Sequence, residues 1–256
     1  MTLAHLLALL SGLLSGGALG LTGGGGSILA VPLLVYVVGE NIHLAIGTSL
    51  VAVGFTSLIS SVSYMRQSLV KFRIAFLMAA PGLLSTYLGA LVNKQVKGPM
   101  LLLAFALLMI YIGFLMTRKK QTATSESDAT ATINYTRILT LGFLTGLASG
   151  FFGIGGGFLL VPALFLGAKL KMKEAIATSL FIIFLFGIFG MASYFIQGRE
   201  IDLTISAIFV AGGSIGGILG AYYAKRIDQV WLRRIFSIFI MLIGLAIFIE
   251  NLTKVF

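Results

Sequence analysis

No cysteine occurs in the 256 residues. Disulfides, thiolate nucleophiles and cysteine metal sites are therefore all excluded. Two histidines are present, His5 and His43, far apart in the chain. Neither a zinc site nor a Ser–His hydrolase has its parts, and no cofactor or enzymatic centre is expected. Charge is scarce as well: 10% of residues are Asp, Glu, Lys or Arg. None falls in the middle of an apolar run. Glu40, Lys169, Glu174, Arg199, Asp202, Asp228 and Glu250 all lie at the ends of runs or in connections. The expectation is that no buried carboxylate serves as a proton relay or a sodium site.

What is present is apolar. The chain is 58% hydrophobic, with a mean hydropathy of +1.06. A soluble domain of this length cannot hide so much apolar surface, so most of it must face lipid. The runs are continuous rather than short and alternating, which excludes a β-barrel and gives an all-α polytopic membrane protein. The net charge is +10. Because Lys and Arg sit between the apolar runs, they read as topology signals and contacts to anionic membrane lipid, not as a nucleic-acid surface. The stretch at residues 1–20 lacks a basic leader, and a similar stretch recurs at "ILTLGFLTGLASG". It is expected to stay in the mature protein.

Residues 118–136, "RKKQTATSESDATATINYT", are polar and rich in Ser and Thr, as in a linker. They separate a first membrane repeat (1–117) from a second (137–256). Residues 12–67 compared with 142–197 without a gap show 20 identities in 56 positions, which is duplication. The matches include Gly23/Gly153, Gly25/Gly155, Gly26/Gly156, Pro32/Pro162, the "TSL" of 48–50 and 178–180, and Tyr64/Tyr194.

The runs 3–38 and 137–168 are far longer than the ~20 residues that span a bilayer, and each contains a glycine cluster. If each run goes in and returns, 14 of the 18 Lys and Arg fall on one side. Lys94, Lys97, Arg199 and Lys254 fall on the other. If each run crosses once, the division is 9 and 9, with no preference. The positive-inside rule selects the two-legged arrangement. Each repeat is then a glycine-broken two-legged hairpin plus three transmembrane helices. Three is odd, so the repeats are inverted, as in many secondary transporters. Termini are expected outside, and the central linker in the cytoplasm. Charge alone leaves open whether each broken run is a re-entrant hairpin or two short crossings, and nothing in the sequence sets the oligomeric state.

Glycine permits the dihedrals of a broken helix and close approach to the backbone. A helix restarting after the break presents unpaired N–H groups and partial positive charge, which attract an anion. The candidate substrate-binding residues are Gly25, Gly26, Gly155 and Gly156, with the hydroxyls of Thr48, Ser49, Thr178 and Ser179. Those hydroxyls can equally bond back to their own helices. Pro32 and Pro162 come too late to cap the restarted helices and are read as kinks in the return legs. Gly12, Gly16 and Gly20, spaced by four, are read as helix-packing residues. Tyr64, Tyr194, Gln67 and Gln197 are read as interface anchors.

A glycine run, "VP", then "TSL" about fifteen residues on, in two copies around a polar linker, resembles the sulfite exporter TauE/SafE family. The copy with "GIGGGFLLVPAL" and "IATSL" is the more specific. The first copy departs at Gly24 and Ser27, where the second has Ile154 and Gly157. The resemblance implies transport of sulfur-containing anions such as sulfite, sulfonate or thiosulfate, and a bacterial inner-membrane location. The alternatives are an anion channel with the same backbone-lined site and a non-transporting membrane scaffold.

Overall fold

The computed structural model describes residues 3–96, 98–118, 135–152, 156–224 and 229–255. The linker at 119–134 and the glycines Gly153 and Gly155 lie outside the described residues. Among those described, all regular structure is helical. The first repeat comprises α1 (Leu3–Thr22), α2 (Gly25–Pro32), α3 (Ile42–Met65), α4 (Phe72–Gln95) and α5 (Gly98–Arg118). The second comprises α6 (Tyr135–Phe152), α7 (Gly157–Pro162), α8 (Met172–Ile196), α9 (Leu203–Tyr223) and α10 (Gln229–Val255). Six helices, α1, α3, α4, α5, α8 and α9, are long and apolar enough to cross a membrane. Side chains such as Leu14, Leu84, Ile215 and Leu242 lie exposed on the outer surface, a lipid-facing pattern.

Local chemistry sets the helix ends. Asn41 Oδ1 accepts from His43 N at 3.0 Å and opens α3. Asp202 Oδ1 accepts from Ile205 N at 2.8 Å and opens α9. Glu174 reaches back to Lys171 N at 3.2 Å and opens α8. Each satisfies a donor that the first helical turn leaves unpaired.

Both long runs double back, as the charges require, but with unequal legs. Helix α1 has 20 residues, about 30 Å at 1.5 Å per residue. The return leg, Gly25–Val38, is shorter and lies against it, with Ser15 Oγ donating to Gly26 O at 2.8 Å. Pro32 and Pro162 end the α-helical part of each return leg. Single π-helical turns follow at Leu33–Val38 and Ala163–Gly167. Proline has no N–H to give to the residue four back, so the hydrogen-bond ladder changes register there.

The helices pack as reciprocal pairs: α1 lies on α9 and α6 on α4, α3 on α8, and α5 on α10. In α3 and α8, Gly54 meets Gly187, Leu50 meets Gly190 and Gly47 meets Tyr194. Numbers rise on one helix as they fall on the other, so these matched helices run antiparallel. They are also the most buried of the six long apolar helices. The α1–α9 contact is backbone on backbone. A Cβ on Gly12, Gly16 or Gly20 would strike Phe209 O, Gly213 O or Gly217 O. Gly142, Gly146 and Gly150 stand in the same relation to Met78 O, Gly82 O and Thr86 O on α4. The spaced glycines are packing residues, as read from their spacing.

Gly17 is the natural control, because its Cβ would meet only Gly216 O at 3.8 Å. We expect Gly16→Ala to lower stability in detergent by about 1–3 kcal/mol through overpacking. Gly17→Ala should be neutral or slightly stabilising. Equal melting temperatures for the two variants would disprove the α1–α9 contact.

Candidate functional site

The first break is built from Thr22 to Ser27. Gly23 has φ +73°, a left-handed conformation that ends α1. Its N–H donates to Leu19 O at 2.7 Å. Thr22 Oγ1 donates to Ala18 O at 2.7 Å and accepts from Gly25 N at 2.9 Å, which bridges the gap into α2. Ser27 Oγ donates to Gly24 O at 2.7 Å. Gly26 faces α1, where a Cβ would strike Ser15 O and Leu19 N. In the second break, Gly156 has φ +65°, and its carbonyl accepts from Leu159 N and Leu160 N at 3.0 Å each. Gly155 is outside the described residues.

The two breaks meet. A Cβ at Gly157 would lie 2.9 Å from Ser27 Oγ and 3.1 Å from Gly24 Cα, beside Ile183 of α8. The starts of α2 and α7 therefore face each other across the junction of the repeats. The contact is made by Gly24 and Ser27 with Gly157; Gly26 turns towards α1 and Gly156 towards Thr145 of α6. The first copy's Ser27 and the second copy's Gly157, where the two motifs differ, form the contact itself.

The hydroxyl residues have a different geometry. Thr48, Ser49, Thr178 and Ser179 are fully buried. Ser179 Oγ is shared between Gly23 O at 2.7 Å and its own Ile176 O at 2.8 Å, so it ties α8 to the first break. Ser49 Oγ donates to Ile46 O at 2.8 Å. Thr178 Oγ1 accepts from Lys71 N at 3.0 Å, and Thr48 Oγ1 accepts from Asp202 N at 3.3 Å. Lys71 and Asp202 are the residues that open α4 and α9. Each "TSL" threonine thus receives a backbone N–H from the start of a helix in the other repeat.

Tyr64 and Tyr194 are not interface anchors. Both are buried, and Tyr64 Oη donates to Gly20 O at 2.8 Å, three residues before the first break. Both stand near helix ends, as in the sequence, but Tyr64 packs on α1 and Tyr194 lies between Gly47 of α3 and the Arg199 guanidinium. Other polar residues went unnoticed. Asn93, near the end of α4, is fully buried, and its Nδ2 donates to Phe151 O at 2.8 Å, just before the second break. Its Oδ1 accepts from Arg199 Nη2 at 2.7 Å. A lone Asn at the edge of an apolar run carries no periodic signal.

Glu40 also departs from the expectation of a solvated connection. Its two carboxylate oxygens are buried, with the Thr48 hydroxyl nearby but not in full hydrogen-bond geometry. Burial pushes its pKa up from 4.5 to about 7; the Asp202 carboxylate adds to the rise, and the Thr48 hydroxyl offsets part of it. Between pH 4.5 and 7 the folded state holds a proton that the unfolded state has lost. Stability from this group is therefore complete below pH 4.5 and declines as the pH rises through 7. Thermal unfolding across that window should show the decline, and Glu40→Gln should flatten it. An unchanged slope in the variant would remove Glu40 as its source.

Three comparisons bear on the site. The family model described as Sulfite exporter TauE/SafE matches residues 8–247. A probable membrane transporter protein of Xylella fastidiosa (strain 9a5c) is 41% identical over 252 residues, 96% of each chain. Probable membrane transporter protein YunE of Bacillus subtilis (strain 168) is 30% identical over 275 residues, 98% of this chain and 99% of its own. No solved structure matches.

Proposed function

Since the chain belongs to the sulfite exporter TauE/SafE family and is a multi-pass membrane transporter, we propose that it carries small sulfur-containing oxyanions by alternating access. Sulfite, sulfonate and thiosulfate are the substrate types in view. The observation that carries this reading is the meeting of the two glycine breaks, Gly24 and Ser27 against Gly157. The helix starts at that junction direct partial positive charge to one place, which favours an anion. In this proposal the backbone N–H groups of Gly26, Gly155 and Gly156, joined by that of Gly25 when it leaves Thr22 Oγ1, bind the substrate once the contact opens. Thr48, Ser49, Thr178 and Ser179 act as positioning residues, because their hydroxyls already hold helix starts and broken ends.

The repeats are inverted in this proposal. Antiparallel packing of the matched helices α3 and α8 is what a two-fold axis perpendicular to the helices produces, and in a membrane that axis lies in its plane. The termini and Arg199 lie outside; Lys71, Lys171 and the linker lie in the cytoplasm of a bacterial cell, at its inner membrane. Labelling checks this cleanly, since the chain has no native cysteine. Lys171→Cys should react only with reagent on the cytoplasmic side, and Glu200→Cys only with reagent outside. Reaction of both from one side would refute the arrangement.

Transport is tested in proteoliposomes with labelled sulfite, thiosulfate and methanesulfonate. Saturable flux with counterflow is the expected result. Flux that neither saturates nor shows counterflow would make the protein an anion channel, and absence of flux for all three would leave a scaffold. Gly25 has helical backbone, so alanine meets no conformational penalty there. Gly25→Ala should fold normally yet lose about tenfold or more in apparent affinity, as expected for an interaction worth about 1.4 kcal/mol. Unchanged affinity would reduce the glycines to packing residues.

A further inference from the structure

Arg199 stands apart from the other cations. It lies in the connection between α8 and α9, half-buried, beside exposed Gly198 and Glu200. Nη2 donates to Asn93 Oδ1 at 2.7 Å and approaches His43 Nδ1 at 3.4 Å, and Nη1 donates to Ala90 O at 3.3 Å. The guanidinium carbon sits 3.9 Å from the centre of the Tyr194 ring. The Asn93 amide, the Ala90 carbonyl and the Tyr194 ring bring no formal charge to it, and His43 is the more distant contact. Among the described residues, the ion pair formed joins Lys71 to Glu174, and no carboxylate pairs with Arg199. A half-buried guanidinium normally carries a counter-ion, because desolvating an unpaired charge is costly. Burial here works against the charged form. Of the five N–H donors on a guanidinium, the second on Nη1 and the one on Nε have no acceptor among the described residues.

We propose that Arg199, held by Asn93, His43 and Tyr194, is an entry site at which the transported oxyanion docks before it reaches the glycine breaks. The proposal rests on the transport reading above and deepens it. A forked donor that no carboxylate pairs with among the described residues suits two oxygens of a sulfite- or sulfonate-type group. Asn93 joins this place to the second break, because its Nδ2 holds Phe151 O in the last turn of α6. The duplication does not repeat these two residues, Arg199 and Asn93. Tyr64 matches Tyr194, but at the same offset of 130 Leu69 stands where Arg199 is, and one residue out of register Ala224 stands where Asn93 is. The duplicated architecture is symmetric, and this charge is not. The anion is therefore captured at the Arg199 end by a charged side chain that the duplication does not repeat at the matching position.

The test is sulfite flux into oriented proteoliposomes of the full chain, with the gradient imposed from each side in turn, alongside thermal unfolding. For Arg199→Gln we expect KM from the Arg199 side to rise about tenfold, the loss of one charge-assisted contact. KM from the opposite side and kcat should stay near wild type, and Arg199→Lys should restore part of the affinity. Wild-type KM from the Arg199 side would overturn the entry site. Equal loss from both sides, with a lowered melting temperature in both variants, would make Arg199 a structural staple and overturn it too. Absence of sulfite, thiosulfate and methanesulfonate flux in the wild type would instead sink the transport reading, and this site with it.

Discussion

A peptide group in hydrocarbon has no water to turn to, so every helix broken inside the membrane must find protein partners for the bonds it gives up. The architecture answers that constraint. Gly23 O loses its place in α1 and is recovered by Ser179 from the other repeat. Gly25 N is recovered by Thr22, and Gly26 O is held by Ser15. Lys71 N and Asp202 N, the first donors of α4 and α9, are recovered by Thr178 and Thr48. The first break is thus held by its own repeat through Thr22 and Ser15 and by the opposite repeat through Ser179. Short hydroxyl side chains suit this work, since they satisfy one bond while adding little volume to a glycine-lined contact.

Much of this was legible from residue order. Duplication showed at an offset of 130, and the bend at Gly23–Gly26 followed from glycine next to glycine inside an apolar run. The return of each long run followed from where Lys and Arg sit. What escaped was long-range pairing. Thr178 and Lys71 are 107 residues apart, and Ser179 and Gly23 are 156 apart. No periodicity announces such bonds: the sequence left "TSL" open between substrate contact and bonds to its own helix, and carried no sign of the bonds that Thr48, Thr178 and Ser179 make to backbone of the other repeat. Asn93, Arg199 and Glu40 escaped for a related reason. Polar residues at the edges of apolar runs read as solvated, yet neighbouring helix ends and connections cover them.

The two repeats share a scaffold without sharing an electrostatic environment. At one end, Lys71 pairs with Glu174 at 2.9 Å, partly exposed, where such a pair adds little stability. At the other, the guanidinium of Arg199 meets an amide, a carbonyl and a ring face, and the Glu40 carboxylate is buried beside Thr48. Duplication supplied matching backbones; substitution at a few edge positions then made the two mouths of the same fold chemically unlike.

The glycine contact between α1 and α9 also bears on how the chain is made. Gly20 and Gly217 are 217 − 20 = 197 residues apart. At about 5–20 residues per second, α1 waits roughly 10–40 s for the helix it packs against. Until then its small-residue face offers lipid a shallow groove, and the Gly23 carbonyl lacks its serine. The nascent first repeat is thus an unfinished structure that must persist in the bilayer without its partner. At 20 residues and a mean hydropathy of 1.6, α1 is long and apolar enough to cross the membrane on its own, so its insertion need not wait for its packing.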